Sequence, residues 1–167
     1  MSRVQRLLSR LNQAQIGVEI APYFNGALPK RDGHRVLIMD LFDAATLRAH
    51  AASNPFIEKQ KIADIEEVDL VGDAARIGEM IDEIGMRGKI HYIISSHNFE
   101  HLPNPIRFLQ GAYDALAEGG VLSMAIPDYR TCFDHFRYPT RLSDWLRAHH
   151  QTRTAPDPEM LFDSDTN

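Results

Sequence analysis

Short apolar runs alternate with helix-like segments along most of the chain, and this alternation most limits the folds open to it. The apolar runs lie at residues 16–20, 35–39, 67–71, 90–95 and 121–126. Runs of this kind are typical of strands buried on both faces. Helical patterns occupy residues 43–52 and 74–84, a segment that begins at Asn104-Pro105 and stops at Gly119-Gly120, and a segment after Thr140. We therefore predict a three-layer α/β sandwich with a mainly parallel sheet of about five strands.

The composition is that of an ordinary globular protein. The chain has 167 residues, of which 44% are hydrophobic and 25% charged, and its formal net charge is −5. These values give no basic footprint for nucleic acid, and no run is long enough for a membrane span. Cys132 is the only cysteine, which excludes an internal disulfide and favours a cytoplasmic location. We expect an N-terminal helix in residues 1–15, an α/β domain in residues 16–150 and a disordered polar tail in residues 151–167.

Polar residues gather where the predicted strands end. They are Glu19, Asp40, Asp73, Ser95, Ser96, His97 and Asp128. Ligands of an open parallel sheet bind beyond the carboxyl ends of its strands. The pattern therefore predicts a ligand site at this edge without identifying the ligand.

Three of these acids have two interpretations each. Asp40 ends the second strand, where nucleotide-binding folds hold a ribose diol, but it could also cap the following turn. Asp73 could accept a hydrogen bond from an adenine amino group, cap the next helix, or do both. Glu19 lies within the first strand, where a carboxylate needs a partner. That partner is either a cationic group of the ligand or an internal Lys or Arg.

Five segments resemble motifs of one enzyme family. They read GVEIAP at 17–22, VDLVGDA at 68–74, SSHNFEHLPNP at 95–105, LAEGGVL at 116–122, and IPDYR followed by FDHFR at 126–137. In this order they resemble the motifs of class I S-adenosylmethionine-dependent methyltransferases, which have a Rossmann-like fold. The last segment resembles a bacterial subgroup of that family.

The resemblance implies a cofactor, a reaction and a set of site residues. The cofactor is S-adenosylmethionine, held by Glu19, Ala21, Asp40, Asp73, Ser95 and Ser96. A base that deprotonates the acceptor would be His97 first, with His101 or Asp128 as substitutes. The resemblance suggests a small-molecule or saccharide acceptor and no resident metal.

The chain departs from the family pattern at two places. Ala21 stands where the family prefers glycine, in the turn that approaches the cofactor. After Asp128 no sixth or seventh strand is evident, so the usual C-terminal antiparallel pair is expected to be missing. The fifth strand would then either pair with a second copy of the chain or be covered by the helix after Thr140, through Trp145 and Leu146.

Two other functions compete with methyl transfer. His97, Glu100 and His101 match the inverted zinc-protease pattern, which requires both histidines on one helix. Pro103 disfavours a helix at Leu102, which argues against a zinc hydrolase. The domain could alternatively be a catalytically inactive scaffold or partner-binding module.

Overall fold

The computed structural model describes residues 1–133, 135–136 and 138–158. Its strands are β1 (Gly17–Ile20), β2 (Val36–Asp40), β3 (Leu70–Val71), β4 (Ile90–Ser96) and β5 (Leu116–Ala125). They form one sheet in the order β3-β2-β1-β4-β5, with every pair parallel. This arrangement confirms the predicted α/β Rossmann-like fold.

Within the described residues, the α-helices that connect and cover the strands are six in number. They are α1 (Arg3–Leu8), α2 (Ala44–Ser53), α3 (Lys59–Ile62), α4 (Ile77–Glu83), α5 (Pro105–Ala115) and α6 (Leu142–His150). Within the described ranges, no helix is long and apolar enough to cross a membrane.

The core lies on both faces of the sheet. On one face, Ile77 and Ile81 of α4 and Phe108 of α5 pack against Val18 and Ile93. On the other face, Leu7 of α1 packs with Tyr92, Ile94, Val36 and Leu28. Burial on both sides explains why the central strands are almost uninterrupted apolar runs.

Gly17 allows the central strands to approach closely. It is paired with Tyr92 across β1 and β4, and a Cβ atom on Gly17 would lie 2.1 Å from the Tyr92 ring. The fully buried Tyr92 side chain therefore lies over the backbone of β1. Its hydroxyl donates a hydrogen bond to Arg35 O at 3.3 Å, and burial raises the pKa of Tyr92 to about 12.

The largest difference from the sequence prediction lies between α5 and β5. The helix ends at Ala115 and the strand begins at Leu116, so no helical turn reaches Gly119-Gly120. Leu116 pairs with Ile90 and Val121 with Tyr92, which leaves an irregular excursion between these two pairs. The apolar Leu116 packs against the core, and β5 therefore begins at this residue, five residues before the predicted start at Val121.

The third strand is also shorter than the predicted run from 67 to 71. The Asp69 carboxylate accepts hydrogen bonds from the backbone N–H of Ile38 and from Lys30 Nζ, at 2.7 Å and 2.5 Å. The Asp69 side chain thus accepts the hydrogen bond from Ile38 N–H that the backbone of a longer β3 would accept.

One edge of β5 has no strand beside it within the described residues. Helix α1 packs against β5, where Ser123 Oγ donates a hydrogen bond to Leu7 O at 2.8 Å. Trp145 packs edge-on against Phe99, with ring centroids 5.5 Å apart, and contributes to the core beside β5. Leu146 remains 46% exposed, so its predicted role as a cover was wrong.

Candidate functional site

A cavity of about 300 Å³ lies at the carboxyl ends of β1, β2 and β3. Its polar lining comes from Asp40, Asp73, Asn98, His101 and Thr154, and its apolar lining includes Ile20, Ala21, Leu41, Ala74, Leu102 and Pro156. The cavity occupies the position at which open parallel sheets bind ligands. Four of the predicted site residues, Ala21, Asp40, Asp73 and His101, therefore meet in one place.

Asp40 presents a buried carboxylate to this cavity. The residue is 8% exposed, and its Oδ1 accepts a hydrogen bond from the Phe42 N–H at 3.2 Å. This hydrogen bond to the residue two positions later is the turn cap predicted as the alternative role of Asp40, whereas the cap of α2 is Asp43, whose Oδ1 accepts from Thr46 N at 2.7 Å. Burial raises the pKa of Asp40 and the backbone hydrogen bond lowers it by less. Burying this carboxylate costs desolvation free energy, and the carboxylate lies where the hydroxyl groups of a ligand could bind it.

Asp73 caps the turn that follows β3, as one of its two interpretations predicts. Its Oδ1 accepts a hydrogen bond from Ala75 N at 2.9 Å and caps a short 3₁₀ turn, Ala74–Arg76. The residue also lines the cavity. The capping role is therefore established by geometry, and one carboxylate oxygen is left for a ligand.

Strained backbone occurs in the cavity lining and in the two loops that follow β1 and β4. Ala21, which lines the cavity, has a φ of 48°, and Tyr23 and His97, outside the lining, each have a φ of 53°; alanine, tyrosine and histidine rarely adopt this left-handed region. Ala21 replaces the glycine that the family resemblance favours, and it does so without a negative φ. Strain of this kind concentrates at binding and catalytic sites.

Glu19 does not line this cavity and has a different partner from either that sequence reasoning considered. Its side chain is buried at 5% exposure, and its carboxylate accepts hydrogen bonds from Ala27 N at 2.7 Å and Leu28 N at 3.2 Å. Burial raises the pKa of Glu19, while these two hydrogen bonds lower it. Glu19 therefore secures the loop between β1 and β2.

Ser95 does not line the cavity but is hydrogen-bonded to Asn98, a lining residue that the sequence analysis did not single out. Ser95 is fully buried and its Oγ accepts a hydrogen bond from Asn98 Nδ2 at 3.3 Å, while Asn98 lines the cavity. Ser96 follows at the end of β4 and is not part of the lining. The spacing of Ser95 and Asn98 across a turn was the available signal, because a buried hydroxyl needs a partner.

Two histidines flank one carboxylate after β4. Glu100 Oε1 lies 3.5 Å from His97 Nδ1 and 3.9 Å from His101 Nε2. Of these two histidines only His101 lines the cavity. The geometry therefore favours His101 over His97, the first choice from the sequence, as the base.

The zinc-hydrolase pattern is not realised in this segment. Residues Phe99–His101 form a 3₁₀ turn, and His97 lies outside it with a positive φ. The two histidines therefore do not share the helix that the pattern requires. Within the described ranges, no group of three or more His, Cys, Asp or Glu residues could hold a metal ion.

Asp128 lies away from the cavity and is paired locally. Its carboxylate accepts hydrogen bonds from Arg130 Nε at 2.9 Å and from the second guanidinium nitrogen at 2.5 Å. The Arg130 hydrogen bonds lower the pKa of Asp128 to about 2. A carboxylate with so low a pKa is a weak base, so this geometry does not support its predicted catalytic role.

The segment after α6 closes one side of the cavity. Thr154 and Pro156 line it, and Arg153 forms an ion pair with Asp157 at 2.5 Å. This part of the expected disordered tail is packed against the site, which no local sequence pattern indicates. Residues 159–167 of the tail, and Asp134 and Arg137 of the last resembling motif, lie outside the described residues.

Comparisons with known proteins bear on the fold. No protein-family model matches the chain, and the search of curated proteins found no significant match. Among solved structures, the chain is similar to a protein of Bacillus halodurans C-125 described as a "putative methyltransferase". The two share 20% sequence identity over 90% of this chain and 68% of that chain, with a TM-score of 0.54. At this identity the likeness establishes a shared Rossmann-like α/β fold.

Proposed function

We propose that the protein is a methyltransferase that uses S-adenosylmethionine and acts on a small-molecule acceptor. The observation that carries this proposal is the buried Asp40 carboxylate, which faces the cavity at the carboxyl end of β2. Two carboxylate oxygens can accept hydrogen bonds from the two hydroxyls of a ribose. A nucleoside-containing ligand would satisfy the acid and offset its burial.

The remaining lining suits the rest of an adenosine. Asp73 has a second oxygen for an amino donor beside the apolar side chains of Ala74 and Leu102. Apolar walls with a few polar groups are typical of cofactor pockets. The Ala21 turn and Asn98 also line the cavity, and in this proposal they hold the amino-acid portion.

Bound S-adenosylmethionine would supply an electrophilic methyl group on a sulfonium sulfur. The chain must then hold an acceptor in line with that group and exclude competing water. His101 lines the cavity and is our choice for the base that takes the acceptor's proton; Glu100 Oε1 lies 3.9 Å from its Nε2. His97, four residues earlier and outside the lining, is the second choice.

The direct test is calorimetry with S-adenosylhomocysteine and S-adenosylmethionine. We expect both ligands to bind the wild-type chain, and Asp40→Asn to weaken binding by roughly 10- to 100-fold, as expected for a hydrogen bond to a charged group. Asp82→Asn is the matched control, because Asp82 is an exposed acid on α4 that does not line the cavity. If the wild-type chain binds neither ligand, the proposal is wrong.

The strained Ala21 favours one alternative, a catalytically inactive scaffold. Ala21 has a Cβ atom at a position where the family resemblance predicts glycine, which has none. A scaffold would show no rise in melting temperature with either nucleoside, whereas a ligand that binds the native state must raise it.

A further inference from the structure

A second cavity, of about 530 Å³, lies between α1 and the carboxyl end of β5. Its lining includes Arg3, Arg6, Leu7, Ser123, Met124 and Ile126. The hydrogen bond from Ser123 Oγ to Leu7 O ties helix α1 to β5, and a capping box between Ser2 and Gln5 closes the first turn of the helix. The position of the two arginines beside β5 is therefore set by packing of the helix.

The polar chemistry of this cavity is cationic. Arg3 and Arg6 are exposed, and within the described part of the chain neither has an ion-pair partner. No acidic residue contributes to the lining, although the chain as a whole carries a net charge of −5. Two guanidinium groups over an apolar floor of Leu7, Met124 and Ile126 suit an anion with an apolar body.

The turn after β4 lies between this cavity and the one that contains Asp40. The backbone N–H of His97 donates a hydrogen bond to Ala125 O at 2.9 Å, and Ala125 belongs to the second cavity. Asn98 and His101, one and four residues later, line the first cavity. His97 is thus hydrogen-bonded to a residue of the second cavity, and His101 lines the first, so both candidate bases belong to the segment that connects the two linings.

We propose that the second cavity binds the methyl acceptor, and that the acceptor is a small molecule with a carboxylate or phosphate group and an apolar body. This inference rests on the proposed function and narrows its substrate class. Arg3 and Arg6 bind the anionic group, and Leu7, Met124 and Ile126 contact the apolar body. A neutral sugar, which the family resemblance suggested, does not match this lining.

The test uses the full chain, labelled with ¹⁵N and titrated with four probes in the presence of S-adenosylhomocysteine. Benzoate and phenyl phosphate are the anionic probes, and benzyl alcohol and glucose are the neutral ones. We expect the anions to shift the amide signals of residues 123–126 and of His97. The double variant Arg3→Gln/Arg6→Gln should weaken anion binding at least 10-fold. Arg10→Gln is the control, because Arg10 is an exposed arginine that does not line the cavity.

The outcomes separate this inference from the proposed function. S-adenosylhomocysteine binding that is equal in wild type and double variant, with anion shifts lost only in the double variant, supports the acceptor site. Nucleoside binding without anion shifts at residues 123–126, or stronger shifts with glucose than with benzoate, overturns the acceptor site and leaves the methyltransferase proposal standing. Carboxylate and phosphate are distinguished by which of the two anionic probes binds more tightly.

Discussion

The buried Asp40 carboxylate, which we propose binds the ligand, also affects the stability of the fold. Its burial raises its pKa, so the folded protein favours the neutral acid more than the unfolded chain does. The contribution of such a group to folding is fully present below its unfolded pKa and is lost as pH rises through the folded value. Raising the pH from below the unfolded pKa to above the folded pKa therefore lowers the free energy of unfolding through Asp40.

We expect Asp40→Asn to raise the free energy of unfolding at pH 7. Asparagine removes the buried charge but can still accept the hydrogen bond from Phe42 N–H. The gain should shrink as pH falls toward about 4, where aspartate in the unfolded chain is itself protonated. Urea denaturation across this range measures it, with Asp82→Asn as the reference. A gain that does not change with pH would show that the charge is not its cause.

Ala21 carries strain that glycine would relieve. A left-handed alanine costs about 1–2 kcal/mol, and the added chain entropy of glycine offsets part of the relief. We expect Ala21→Gly to raise the free energy of unfolding by up to about 1 kcal/mol. Ala27→Gly, in the same connection without a positive φ, should lower it. Thermal denaturation of the two variants checks the contrast, and equal losses would contradict it.

At the level of elements, helices α4 and α5 cross with almost no space between their backbones. A Cβ atom on Gly78 would lie 2.6 Å from Gly111 Cα, and one on Gly111 would lie 2.8 Å from Gly78 N. Both distances are far below an ordinary contact, and neither blocking atom is a flexible side chain. The two glycines therefore set the separation of the helices that cover one face of the sheet.

We expect Gly111→Ala to lower the free energy of unfolding by about 1–3 kcal/mol, the usual cost of overpacking. Alanine favours a helix more than glycine by about 1 kcal/mol, so a net loss demonstrates the backbone clash. Gln110→Ala, at an exposed neighbour on α5, should change stability by no more than about 0.5 kcal/mol. Chemical denaturation provides the comparison, and a stabilising Gly111→Ala would disprove the close crossing.

The strands that the sequence predicted well are those that are buried on both faces of the sheet. β1, β2 and β4 begin and end within one residue of the apolar runs that predicted them. β3 was predicted too long because Asp69 bonds to β2 through its side chain, which alternation of apolar residues does not report. The early start of β5 depends on Leu116 pairing with Ile90, a contact distant in sequence.

The same distinction applies to the site. Asp40 and Asp73 could be predicted because the strand before each one fixes which edge it reaches. The partner of Glu19 could not, because it is the backbone of a loop whose path depends on the tertiary structure. Thr154 and Pro156 reach the cavity only because α6 packs on α5, and their own sequence has no feature of a ligand site.

For the whole molecule, the outer edge of β5 remains the exposed boundary of the sheet within the described residues. None of its residues is fully buried, and its unpaired backbone groups can recruit another strand. We expect the chain to self-associate with increasing concentration, as measured by sedimentation velocity, and the amide hydrogens of β5 to exchange more slowly in the associated form. A monomer at all concentrations with fast exchange in β5 would contradict this expectation.

The wall that Thr154 and Pro156 build over the first cavity has a kinetic consequence. The floor of that cavity comes from β1, β2 and β3, whereas this wall comes from the chain beyond α6, in which the Arg153–Asp157 ion pair joins two residues of the same segment. If a nucleoside binds between the wall and the strands, this segment has to move for the nucleoside to leave. The residence time of the spent nucleoside on the proposed enzyme would then depend on a segment that touches no reacting atom.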